Sequence, residues 1–121
     1  MAKMKPFVDL INDEENQYVV EPIGILRTMF WGENLSMGRN VVPAGAHVPA
    51  HAHPEEQYSL VLKGECDVRC GDLKFHMVPG SICCAPSNEE HELWMWDEGE
   101  VIIYDFFAPL RQDWIDPLDE K

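Results

Sequence analysis

The chain has 121 residues, one domain's worth, and its 45% hydrophobic content suits a globular core. Nine Lys and Arg against 22 Asp and Glu leave a net charge of −13, which argues against nucleic acid and anionic membrane surfaces as partners. No apolar run is long enough to cross a bilayer, and residues 1–10 turn acidic at Asp9 without an apolar export segment. The expected location is the cytoplasm.

In chain order, residues 1–16 read as an N-terminal segment with at most one helical turn, near 5–11. Residues 17–115 read as a single domain and 116–121 as an acidic tail. Short β-type runs follow one another between turn residues, the pattern of an all-β barrel or sandwich. Residues 17–31 are apolar and aromatic, broken at Pro22 and Gly24, with Met29, Phe30 and Trp31 as core. Residues 35–42 alternate, with Leu35, Met37 and Val41 on one side and Ser36, Gly38 and Asn40 on the other. A loop rich in Pro, Ala, Gly and His follows at 43–54. Further strands are expected at 58–62, 65–69, 73–78, 81–85 and 91–96. The last, 101–107, is apolar on both faces and so needs a cover on each. A second helical turn is expected around 111–115.

Four cysteines stand at 66, 70, 83 and 84, with no CxxC pair among them. Adjacent residues on a strand face opposite ways, so Cys83 and Cys84 are poorly placed to bond each other. The expectation is four reduced core thiols in a reducing compartment.

The spacing of three histidines carries the chemistry. Gly45 is followed by five residues, then His51-Ala52-His53, three more, Gln57, six more and Gly64. His51, His53 and Gln57 share parity, so an extended backbone puts them on one face. There two imidazoles chelate a divalent cation and an amide oxygen adds a third ligand. Downstream, Gly80 precedes Pro86, Ser87, Asn88 and then His91, which opens a separate strand and supplies a fourth ligand if the sheet closes. Asn88 is of a residue type that tolerates positive φ better than most.

These two blocks resemble the paired motifs of the cupin superfamily, over nearly the whole chain. The departures are Gln57 for Glu, Asn88 for Gly and Met95 for Asn. The resemblance implies a cupin barrel, a double-stranded β-helix or jelly roll. A narrower one is with the KdgF-type small cupins of pectin and alginate degradation. It rests on His51 to Gln57 (HAHPEEQ) with the adjoining YSLVLKGE, and on the segment from Asp105 to Trp114, where Leu110, Gln112 and Trp114 depart from the pattern. It implies ring opening of 4,5-unsaturated monouronates to the linear keto form. His51, His53, Gln57 and His91 would then hold a divalent transition metal (Zn, Ni, Mn or Fe). Asp105 would be the acid/base residue, and Phe107 and Arg111 would line the substrate site.

Three imidazoles and an amide are all neutral, so such a site keeps the ion's full charge and favours an anionic guest. A chain at −13 repels a carboxylate at long range, so the site needs local positive charge from the metal and Arg111, with Arg39 assisting. Alternatives for the same ligand set are a ferrous dioxygenase and a non-catalytic module that binds or senses a small carboxylate. His47 and His76 read as structural or solvent-facing. Glu55 and Glu56 are out of register with Gly64, and Trp94 and Trp96 read as packing. Apolar Ile102, Tyr104 and Phe106 suggest a homodimer.

Overall fold

A computed structural model describes residues 2–121. Ten strands account for nearly half of them: β1 Gln17–Val20, β2 Ile25–Trp31, β3 Ser36–Val42, β4 His47–His51, β5 Glu56–Lys63, β6 Cys66–Cys70, β7 Leu73–Met77, β8 Ile82–Ala85, β9 His91–Met95 and β10 Val101–Ala108. One short helix, α1 Gln112–Ile115, comes after them, with 3₁₀ turns at Glu14–Asn16 and Asp116–Glu120. The strands form two antiparallel sheets, a six-stranded one in the order β1-β2-β3-β10-β5-β8 and a four-stranded one in the order β4-β9-β6-β7. The chain is an all-β jelly roll.

The alternation predicted from sequence decides which residues meet between the sheets. On β10, Val101, Ile103, Asp105 and Phe107 are buried, while Ile102, Tyr104 and Phe106 between them are half-exposed. Register sets Ile103 beside Val61, Asp105 beside Ser59 and Phe107 beside Gln57 on β5. On the other flank Val101 meets Val42, Ile103 meets Asn40 and Asp105 meets Gly38 on β3. The interior is therefore graded along the strands. One end is an apolar plug of Ile25, Val42, Val61, Cys66, Val68, Met77, Met95, Val101 and Ile103. Each large side chain in it contributes about 1.5–3 kcal/mol by burial. Towards the other end the same faces turn polar. A smaller cluster of Met29, Trp31 and Ile115, with Tyr18, Leu110, Trp114 and Leu118 against it, closes that side.

Several expectations are corrected. Residues 43–54 are not all loop, because β4 forms within them and pairs with β9. Its pairing shifts between Val48 and His51, around Pro49, a residue with no N–H for the ladder. Shared parity does not put His51, His53 and Gln57 on one strand face. The chain leaves β4 at His51 and turns before β5 brings in Gln57 from the other sheet. The allowance of at most one turn near 5–11 holds, shifted towards the chain's middle: the Asp13 N–H donates to the Asp9 carbonyl at 2.9 Å, and the Asp9 carboxylate accepts the N–H groups of Ile11 and Asn12. The acidic end folds back as a 3₁₀ turn that seats Leu118 in the smaller cluster.

All four cysteines are free. Cys66 and Cys70 are core thiols, Cys83 is half-buried, and Cys84 is exposed on the outer face, opposite Tyr58. Burial pushes the Cys66 thiol up to about 12 and the Cys83 thiol up to about 11, so neither is a ready nucleophile.

Candidate metal centre

The polar end of the barrel gathers His51, His53 and His91, one ligand atom of each lying within 4.8 Å of the others. His51 and His91 are register partners across β4 and β9. His53 lies in the turn beyond β4, where its carbonyl accepts the N–H of Asn88. Asn88 has φ 63, the left-handed conformation that Asn tolerates, and so ties the second motif to the first.

The three rings share one local device. His51 Nδ1 lies 2.8 Å from the Pro49 carbonyl, His53 Nδ1 2.9 Å from that of Glu55, and His91 Nδ1 2.9 Å from that of Glu89. A carbonyl only accepts, so each Nδ1 carries the proton and each Nε2 is left as a bare lone pair. His91 Nε2 is buried with no partner. Burial lowers the pKa of His53 and pushes His91 down to about 4, so both imidazoles are neutral at pH 7.

Gln57 completes the set. Its Nε2 donates to Ser59 Oγ at 2.9 Å and to Asp105 Oδ1 at 3.2 Å. That orientation leaves Oε1 facing His53 Nε2 at 3.0 Å. Two acceptors at that distance repel unless a cation sits by them, and an orphaned Nε2 on His91 makes the same demand. The donor set therefore fits a divalent transition ion, with three imidazole nitrogens and one amide oxygen.

Asp105 lies behind Gln57. Ser59 Oγ and Gln57 donate to its Oδ1, and Asn40 Nδ2 donates to its Oδ2 at 2.9 Å. Burial raises its pKa, against the pull of these hydrogen bonds and of the Arg27 and Arg111 charges. A cavity of about 60 Å³ opens beside it, with His51, Gln57, Asn40, Arg27 and Trp114 on its walls.

The remaining candidates divide. Phe107 is fully buried, edge-on to His53 and Trp114, so it is a floor under the site. Arg111 lies over Phe107 and Trp114, pairs with Asp113, and keeps a buried Nη1 without a partner. Arg39 is corrected: on β3 it pairs with Tyr104 and Thr28 on the outer side, while Gly38 and Asn40 face inward. The arginine inside is Arg27, which the sequence reading missed. Its signal was the alternation Ile25, Arg27, Met29, Trp31, a cation in an otherwise apolar inward series. His47 stays outside, against Glu92 and stacked on Trp94, and His76 sits between Glu65 and Asp67.

Comparison with known proteins agrees with this fold. The profile of the cupin domain matches residues 38–107. An RmlC-like cupin from Shewanella frigidimarina superposes with a TM-score of 0.80 at 23% identity, over 95% of this chain and 100% of its own. KdgF from a Halomonas species superposes with a TM-score of 0.76 at 28% identity, over 84% of this chain and 94% of its own. Oxalate decarboxylase from Bacillus subtilis, a protein with Mn(II) centres, gives 0.71 at 17% identity over 81% of this chain and 29% of its own. At their identities the first and third show the fold alone. No curated protein matches the sequence.

Proposed function

The chain belongs to the cupin family, and on that footing we propose that it is a metal-dependent enzyme that opens the ring of 4,5-unsaturated monouronates to the linear keto acid. The observation that carries the reading is the hydrogen bond from Gln57 to the buried Asp105. It puts an acid/base group one side chain from the proposed ligand set His51, His53, Gln57 and His91, on a shared cavity. Likeness to the Halomonas KdgF supports the choice of substrate.

The reaction is an isomerisation and needs no second reactant. The anomeric hydroxyl loses its proton, the bond from C1 to the ring oxygen breaks, and an aldehyde and an enolate result. The enolate then takes a proton at C4 and becomes the ketone. A bound divalent ion supplies Lewis acidity and charge for the substrate oxygens. Asp105 is the group that takes the hydroxyl proton and returns it to carbon. Burial raises its pKa towards the operating pH, while three donors hold its two oxygens in place. Arg111 offers its unpartnered Nη1 to the anion, and Phe107 fixes the angle between His53 and Trp114.

Two further parts of the reading rest on the outer surface and on the thiols. Tyr58, Leu62 and Ile82 are exposed apolar residues on the outer side of β5 and β8. With Ile102, Tyr104 and Phe106 they form the face we assign to a homodimer. Free thiols suit a reducing compartment, the cytoplasm. Among the described residues no helix is long and apolar enough to cross a membrane.

Proton NMR of metal-loaded protein with freshly generated unsaturated monouronates from galacturonate and guluronate tests the activity. Loss of the cyclic signals faster than in buffer is expected, and both Asp105→Asn and chelation abolish it. No acceleration with the ion bound refutes the reading.

A further inference from the structure

Arg27 is a buried cation with no carboxylate in contact: Asp105, beyond Asn40, acts on it only through its field. Arg27 itself is 7% exposed, and among the described residues no carboxylate pairs with it. Its Nε donates to Asn40 Oδ1 at 2.7 Å and its Nη1 to the Tyr18 hydroxyl at 3.3 Å, both neutral. The third neighbour is the Trp114 ring, whose centroid lies 3.2 Å from the guanidinium carbon. A desolvated guanidinium ordinarily takes a carboxylate, with which it forms two parallel hydrogen bonds. An indole face compensates only part of that charge.

The position of the group gives its partly balanced charge a use. Arg27 and Trp114 share the walls of the cavity that His51, Gln57 and Asp105 also line. Its volume of about 60 Å³ holds a few waters and less than a sugar acid needs. Trp114 is the wall that covers Arg27. It stands on a four-residue helix, half-buried, and its ring rests on Gly38, where a Cβ would come within 3.0 Å of it. Its carbonyl accepts the Tyr18 hydroxyl, so the backbone stays anchored while the ring moves.

We propose that Arg27 is an anion-binding residue of the cavity, receiving the carboxylate of a small organic acid in the place the Trp114 ring now occupies. The two arginines then divide the work. Arg111 faces the ring from the side of Phe107, and Arg27 is the inner cation, reached only by a ligand that displaces the indole. Asn40 couples the two functions, because it accepts from Arg27 and donates to Asp105. This rests on the site being one for a small carboxylate, and not on ring opening.

The test is binding of D-galacturonate, which is saturated and cannot undergo the enol-to-keto step, to zinc-loaded protein by calorimetry. Its neutral methyl ester is the control. Wild type is expected to prefer the acid at least tenfold, and Arg27→Gln to lose at least tenfold in that preference with zinc stoichiometry unchanged. A preference kept in the variant, or absent from wild type, overturns the proposal. In case the variant fails to fold, a second measurement uses wild type alone. Titration with galacturonate should shift the Trp114 indole N–H and the Arg27 Nε–H signals with one common dissociation constant. Two signals that stay put at saturation overturn it as well. Arg27-dependent galacturonate binding, together with no acceleration on the unsaturated monouronates in the NMR assay, would leave this proposal standing and remove the ring-opening reading.

Discussion

Gln57→Glu restores the carboxylate that a neutral ligand replaces, and the surroundings of Gln57 determine its effect. The amide donates to Ser59 Oγ and to Asp105 Oδ1, at 2.9 and 3.2 Å. A glutamate there loses both donors and sets a second carboxylate against a buried one. At an effective dielectric of about 20, unit charges about 4 Å apart repel by about 4 kcal/mol. Holding one carboxyl protonated at pH 7, from an unfolded pKa of about 4.3, costs about the same. Metal-free Gln57→Glu should therefore be about 4 kcal/mol less stable than wild type at pH 7. The folded variant keeps a proton that the unfolded chain releases, so the deficit grows as pH rises from about 4.3 and is near 1 kcal/mol at pH 5. Urea unfolding of both proteins after chelation, at pH 5, 6, 7 and 8, reads the offset. An offset independent of pH would refute the placement of Gln57 against Asp105.

Burial of His91 gives metal-free wild type a slope of its own. Its imidazole is pushed down to about 4, so the contribution is full above about 6.5 and lost as pH falls. The loss reaches about 3 kcal/mol near pH 4 and is flat below. Thermal melts across that range should show it, and His91→Gln should remove it. Phe107→Ala empties a fully buried site beneath His53 and should cost about 3–5 kcal/mol, with weaker zinc binding by calorimetry. Gly38→Ala puts a Cβ 3.0 Å from the Trp114 ring and 3.1 Å from Met29 Sδ. It should cost about 1–3 kcal/mol and alter the tryptophan bands in near-ultraviolet circular dichroism.

Strand by strand, the sheet was legible from alternation between turn residues, as in β10, whose two faces separate in the sequence; both are apolar, so only the structure shows that Val101, Ile103, Asp105 and Phe107 are the inward series. It was not legible at β4, where Pro49 and the neighbouring Ala and Gly residues look like loop. Alternation also fails to say which side of a strand is inside. On β3 the polar series Ser36, Gly38, Asn40 faces the interior, because it meets Asp105 and Phe107, and so Arg39 was placed wrongly and Arg27 overlooked. The ligand spacing pointed to His51, His53, Gln57 and His91 without showing that they come from two sheets. The carbonyls that fix each imidazole are two residues away, but only the backbone's path reveals that they turn towards the rings.

That division between sheets has a mechanical consequence. His51 and His91 belong to the four-stranded sheet and Gln57 to the six-stranded one. An ion gripped by all three is a rivet through the barrel wall, and the layers cannot slide apart while it is whole. Parting of the layers there would first require release of the ion, so stripping it with a chelator should speed backbone hydrogen exchange along β5 and β9 beside the site.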